Sequence, residues 1–157
     1  VDEFDQFYLV EYGKVLGTVA LIVGDRARAE DATQQAFLQA FRRWRKVRSM
    51  EKPGAWVLVV AINADRRQWR RTREEPSETL ESEVIDDHAS AVVTGVALRE
   101  ALSRLTVRQR AAVVLRHLSD LPVREIATAL GCAEGTVRAT LHQAMTKLHI
   151  DLEEAEQ

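Results

Sequence analysis

The segment Val123 to Leu141 has residue types at spacings suited to reading a DNA groove. Ile126 and Leu130 give a short helix an inward face, and Ala127 is small enough for a close helix crossing. Gly131 can take the positive φ of a tight turn. Val137 and Leu141 anchor a second helix, which leaves Arg138, Ala139, Thr140, His142 and Gln143 on or near its outer face. This is helix-turn-helix spacing. An α-helix fits the major groove, where Arg and Gln pair with base edges. The plainer reading is an αα-hairpin whose polar residues are only solvated surface.

A second segment runs from Trp56 to Arg71. An apolar anchor leads into a helix bearing an amide, a Trp and many cations: Asn63, Arg66, Arg67, Trp69, Arg70 and Arg71. Trp faces stack on unpaired bases while Arg tracks phosphates. Alone, the Arg run reads equally as a solvated helix face, with Trp56 in the core. A third segment, Asp25 to Phe41, sets Glu30, Asp31, Gln34 and Gln35 beside an Ala/Phe stripe. It fits a protein-docking face, and it fits a plain amphipathic helix as well.

Catalytic signatures are missing. There is no phosphate-binding Gly loop, no zinc-protease His pair and no nucleophile elbow. His88, His117, His142 and His149 sit in no metal-ligand pattern, so neither a metal nor a cofactor is expected. Cys132 falls where a helix-turn-helix needs a small apolar side chain, and core is its expected role. As the only cysteine it excludes an internal disulfide.

These segments need helices to position them. Phe4, Phe7, Tyr8, Tyr12, Val15, Val19 and Ile22 follow helical spacing. Gly24 ends that helix and Asp25 caps the next, which lines up Ala29, Ala32, Ala36, Phe37, Ala40, Phe41 and Trp44. Pro53 opens a helix that is apolar all round from Ala55 to Ile62, so it should be central to its bundle. Beyond the midpoint, four short helices are expected. Val96 to Leu105 comes first, then Val107 to Leu118 with Ala111, Val114, Leu115 and Leu118 inward. A third runs from Pro122 to Gly131, and the last from Glu134 to His149 with Val137, Leu141, Ala144, Met145 and Leu148 inward.

The charges divide the same way. Residues 1–73 carry net +5, residues 74–90 net −7 with no Lys or Arg, and residues 91–150 net +4. Two basic blocks joined by an acidic segment make nucleic acid a candidate partner, which the overall charge of −2 conceals. All nine aromatic residues lie between Phe4 and Trp69, so the second block must build its core from aliphatic side chains. The expected fold is all-α: two small helical domains over 1–73 and 93–157, joined by an acidic linker over 74–92. The longest apolar run, Ala55 to Ile62, is far below the ~20 residues that span a bilayer, and no leader is visible. No membrane insertion is expected, and the cytoplasm is the default location.

Taken in order, the three segments resemble the extracytoplasmic-function (ECF) group of bacterial RNA polymerase sigma factors. The likeness covers roughly 4–73 and 95–152. Gly24-Asp25, Ala29-Glu30-Asp31, Gln34, Phe37, Ala40 and Trp44 are similar to that family's core-polymerase-binding segment. Trp56, Val60, Ala61, Asn63, Arg70 and Arg71 are similar to its promoter-melting and −10 segment. Leu105 through Arg110, Val113 through Arg116, Glu125 through Ala127, Leu130 through Cys132, Gly135 through Arg138 and Ala144 are similar to its −35 segment. Departures are Thr106 where the family usually has Pro, Gln35 for Glu, Ile62 for Arg, and Arg67-Gln68 for Asp-Leu.

The resemblance implies a promoter-specificity subunit, not an enzyme by itself. It implies that Asp31, Gln34, Gln35 and Phe37 sit on the β′ clamp helices of core RNA polymerase, with the β flap as a further contact. Asn63 and its neighbours, Arg67 among them, would hold an unstacked −10 base, supported by Trp56, while Arg66, Arg70 and Arg71 would contact phosphate. Arg138, Thr140, His142 and Gln143 would read the −35 duplex. An anti-sigma factor is an implied further partner. The rival reading is a helix-turn-helix regulator that binds a duplex operator without polymerase.

Overall fold

The computed structural model describes residues 2–74 and 93–156. The chain divides into two compact units, residues 1–85 and 86–157. The expected acidic linker lies outside the described residues, apart from Glu74, which ends a helix. All regular structure among the described residues is helical.

The first unit holds α1 (Glu3–Val23), α2 (Arg26–Arg42), a single turn α3 (Trp44–Val47) and α4 (Pro53–Glu74). Gly24 closes α1 in the left-handed region, with its N–H donating to the Ala20 carbonyl at 2.9 Å. Asp25 then caps α2: its Oδ1 accepts from the Arg28 N–H at 3.1 Å. The reversal is therefore local, and it sets α2 against α1. Ala29, Ala32, Ala36 and Ala40 are buried along α2, and small side chains let helix axes approach closely. Val15, Val19 and Ile22 from α1 meet Val57, Leu58, Ala61 and Ile62 from α4 in the same core. No residue from 55 to 62 is exposed, as its all-round apolarity requires.

At one end of the bundle an aromatic cluster surrounds the buried Phe37. Phe4, Phe7, Tyr8 and Tyr12 of α1 meet Phe37 and Phe41 of α2 and Trp44 of α3 with ring centroids 5.1–5.8 Å apart, Tyr8 and Phe41 remaining exposed. The start of α4 is fixed from α1. A Cβ added to Gly54 would lie 2.6 Å from Glu11 Oε2, so that carboxylate sits over the first turn. A negative charge there is favoured by the helix dipole. By length and composition α1 is apolar enough to cross a membrane, with mean hydropathy 1.2 over an 18-residue stretch. Its Val15, Val19, Ile22 and Val23 instead form a wall of this bundle.

The second unit holds α5 (Val93–Ser103), α6 (Val107–Val113), a π-helical turn (Val114–Leu118), α7 (Val123–Leu130) and α8 (Glu134–Glu156). Thr106 and Gln109 cap α6 reciprocally. The Gln109 N–H donates to Thr106 Oγ1 at 3.2 Å, and the Thr106 N–H donates to Gln109 Oε1 at 3.1 Å. Threonine at this position thus supplies a side-chain acceptor that proline lacks. Thr106→Ala is expected to cost ~1 kcal/mol, lowering the melting temperature of this unit by roughly 4–8 °C in calorimetry.

The structure corrects the expected Val107–Leu118 helix. The ladder widens after Val113, and the Ser119 N–H donates to the Val114 carbonyl at 3.1 Å. An extra residue in a turn shifts the phase of the side chains. Leu118 is therefore 56% exposed, and Leu121 takes the buried place. Asp120 adopts φ 54° in the following turn. Met145, expected inside, is also exposed, while Val137, Thr140, Ala144 and Leu148 form the buried stripe of α8.

Candidate nucleic-acid and polymerase interfaces

In the second unit, Gly131 ends α7 at φ 67°, and the Cys132 N–H donates back to the Ala127 carbonyl at 3.0 Å. A Cβ at that φ is strained, so the tight turn depends on glycine. Cys132 itself is half-buried. Pinned by Val137, Ala144 and Leu148, α8 presents Thr136, Arg138, Ala139, His142 and Gln143 to solvent. Arg138 and His142 are one turn apart. So are Thr136, Ala139 and Gln143. Thr140 does not belong with them. It is 9% exposed, and its Oγ1 donates to the Thr136 carbonyl at 2.7 Å. A threonine that bonds its own helix can occupy a core position. Thr136 is the exposed hydroxyl on this face, one turn earlier than expected.

In the first unit, α2 and α4 border a cleft of about 550 Å³ lined by Gln39, Arg42, Arg43, Trp56, Val60, Asn63, Ala64 and Arg67. It brings together three of the expected −10 residues, Trp56, Asn63 and Arg67. Three guanidinium groups and no carboxylate line it, so its field favours anions. Arg70 and Arg71 are exposed and continue the same helical stripe by a further turn. Arg66 is half-buried and outside the cleft lining. Gln39, Arg42 and Arg43 come from the other wall, a tertiary neighbourhood that no spacing within α4 reveals.

Asn63 carries the sharpest feature of the cleft. Its Oδ1 is buried and accepts no hydrogen bond among the described residues. Leaving such an atom unpaired costs ~1–3 kcal/mol. The Asn63 residue itself lines the cleft, and an asparagine amide both donates to and accepts from a base edge.

The exposed face of α2 differs from the expected one by a residue. Asp31, Gln34 and Gln35 are exposed together. Phe37 is 3% exposed, with its ring 5.1–5.8 Å from those of Phe7, Tyr8 and Tyr12, so it is core and not contact surface. Leu38 is 49% exposed instead. One and two turns from Gln34, Gln35 and Asp31, it lies at the centre of their face. The signal was the spacing i, i+3, i+4, i+7 from Asp31.

Residues 8–75 match the model of sigma-70 region 2, and residues 95–148 match that of sigma-70 region 4. The chain is 31% identical over 153 residues to the RNA polymerase sigma-E factor of Streptomyces avermitilis, covering 96% of this chain and 86% of that protein. It is 32% identical over 152 residues to the ECF RNA polymerase sigma factor SigL of Mycobacterium tuberculosis, covering 92% and 86%.

The chain belongs to the ECF sigma factors of RNA polymerase. Its fold is similar to that of the sigma factor RpoE from Bartonella quintana, solved with the anti-sigma factor NepR, at TM-score 0.74, 24% identity and 98% coverage of both chains. It is also similar to CnrH, solved with the cytosolic domain of CnrY, at TM-score 0.59 and 20% identity over 96% of this chain and 88% of that one. The first unit of this sigma factor carries region 2 and the second carries region 4. As a sigma factor it binds core RNA polymerase and directs promoter-specific initiation. The family is one of regulatory DNA-binding proteins. A regulator that works without polymerase is not favoured, because region 2 is present beside the helix-turn-helix.

Proposed function

We propose a division of labour among the three surfaces. The α2 face of Asp31, Gln34, Gln35 and Leu38 docks on the β′ clamp helices of polymerase. The α2–α4 cleft holds an unstacked non-template base of the −10 element, with Asn63 pairing to its edge. Arg67, Arg70 and Arg71 lie along the phosphates. The outer face of α8, with Thr136, Arg138, His142 and Gln143, enters the −35 major groove. The β flap is a further polymerase contact, and the chain works in the cytoplasm as a promoter-reading subunit without catalysis of its own. An anti-sigma factor that covers the α2 face would silence it; the structurally similar RpoE was solved with the anti-sigma factor NepR.

The observation that carries this reading is the cleft that sets Asn63 and Trp56 among three arginines with no carboxylate in its lining. Duplex is read by a helix in a groove, whereas −10 must be read where the strands part. Base contacts set sequence, and phosphate contacts set affinity and its salt dependence. The proposal for α8 is tested by Arg138→Ala. Initiation from promoters that need their −35 element should fall by the ~1–3 kcal/mol of one base contact, roughly 5- to 150-fold. Unchanged open-complex formation on those promoters would remove Arg138 from the reading face.

A further inference from the structure

The side of α4 turned away from the cleft is tied to the start of α2 by one residue. Arg28 Nε donates to Asp65 Oδ1 at 3.1 Å, and Arg28 Nη2 donates to Asp65 Oδ2 at 2.8 Å. The same guanidinium lies over the Trp69 ring, with Cζ 4.2 Å from the centroid. The Asp65 side chain is 12% exposed and that of Arg28 is 30% exposed, so the fork is largely withdrawn from water. Bidentate geometry and an aromatic face are both matched by Arg and not by Lys.

This contact sits where α4 most needs one. Ile62 is the last apolar core residue before the polar half of the helix. Beyond it come Arg66, Arg67, Arg70, Arg71 and Arg73, whose like charges at i,i+4 oppose the helix. Trp69 is the lone large apolar side chain there, and Asp65 the lone acid before Glu74. Both lie on the helical line continued from Leu58 and Ile62, while Trp56, Val60, Asn63 and Arg67 lie on the other side. Holding Asp65 and Trp69 therefore holds the opposite stripe in a fixed orientation.

We propose that Arg28 is a positioning residue for promoter reading: its grip on Asp65 and Trp69 keeps the arginine-rich half of α4 helical and aimed, so that Asn63, Arg67, Arg70 and Arg71 act as one preorganised surface. Its DNA role rests on the proposed function of the cleft. Arg28 touches no DNA in this scheme. It acts through α4, and a small displacement of a reading group is enough to cost an order of magnitude or more.

The test compares the full chain with Arg28→Ala, Arg28→Lys, and the exchanged pair Arg28→Asp with Asp65→Arg. Amide hydrogen exchange over 63–74, affinity for core polymerase, and initiation on a −10-dependent promoter are measured for each. For Arg28→Ala, faster exchange confined to the later turns of α4 is expected, with core affinity retained and initiation lowered about 10-fold. Lys should rescue partially, and the exchanged pair should restore much of the protection and of the initiation. Unchanged exchange and initiation would reduce the pair to an ordinary surface ion pair and overturn the proposal. Loss of core affinity together with early melting of the whole unit would overturn it in favour of plain stability. Faster exchange with initiation unchanged would leave the grip on α4 standing but overturn its role in promoter reading. A normal Asn63→Ala variant in the same assay would then place the failure in the cleft reading itself.

Discussion

Leu38→Asp is expected to weaken binding to core RNA polymerase by about 30-fold or more, the ~2 kcal/mol threshold of an interface hot spot. Leu38 is the apolar centre of a face otherwise made of Asp31, Gln34 and Gln35, and it is 49% exposed. A buried aspartate in its place would be desolvated by the partner without a counter-charge of its own. In the free protein the same change is a surface substitution and should alter stability by no more than about 0.5 kcal/mol. Phe37→Ala makes the contrast. That ring is packed by Phe7, Tyr8 and Tyr12, and its loss should cost about 3–5 kcal/mol of folding stability. Leu38→Asp should therefore lose polymerase while melting normally, whereas Phe37→Ala should melt early. Titration of labelled chain against core polymerase, beside a calorimetric scan, separates the two. If Leu38→Asp binds core like the parent, the docking face lies elsewhere.

Asn63→Ala is expected to dissociate stability from function. Its Oδ1 is buried and unpaired, so truncation removes an unsatisfied group and costs little folding stability. Initiation should nevertheless fall roughly 5- to 150-fold, the value of one good base contact. Core affinity should not change, because Asn63 lies on α4 and outside the proposed α2 docking face. A chain that melts as late as the parent, binds polymerase and opens promoters poorly is the signature of a site kept polar for its ligand. Equal loss of core binding and initiation would mark Asn63 as a folding or docking residue instead.

How far the sequence alone discloses these surfaces depends on how local each one is. Gly24-Asp25, Thr106 with Gln109, and Gly131 are turn and cap signals whose partners lie within a few residues. The helices they delimit were accordingly legible. The apolar run over 55–62 announced a central helix for the same reason. Phe37 shows where a motif misleads. Its place in the Ala29, Ala36, Ala40 stripe already marked it as core, while the family likeness suggested a contact residue, and the aromatic side chains of α1 decide for the core. Thr140 escaped because a hydroxyl reads as polar until its bond to the Thr136 carbonyl is seen. The π-helical turn that rotates Leu118 outward has no residue signature in the stretch that forms it. Arg28 and Asp65 are 37 positions apart, and Gln39, Arg42 and Arg43 meet Asn63 only across the bundle. Such pairings belong to tertiary structure.

The most direct test of promoter reading through the α2–α4 cleft is a genome-wide map of run-off start sites, made with core polymerase and either the parent chain or Asn63→Ala. The parent should yield start sites that share spaced −35 and −10 elements. Asn63→Ala, present at equal occupancy on core, should lose most of them and lose them least where the −10 region is pre-melted and the −35 contact is strong. An Asn63→Ala map indistinguishable from that of the parent, at equal occupancy on core, would contradict the central claim.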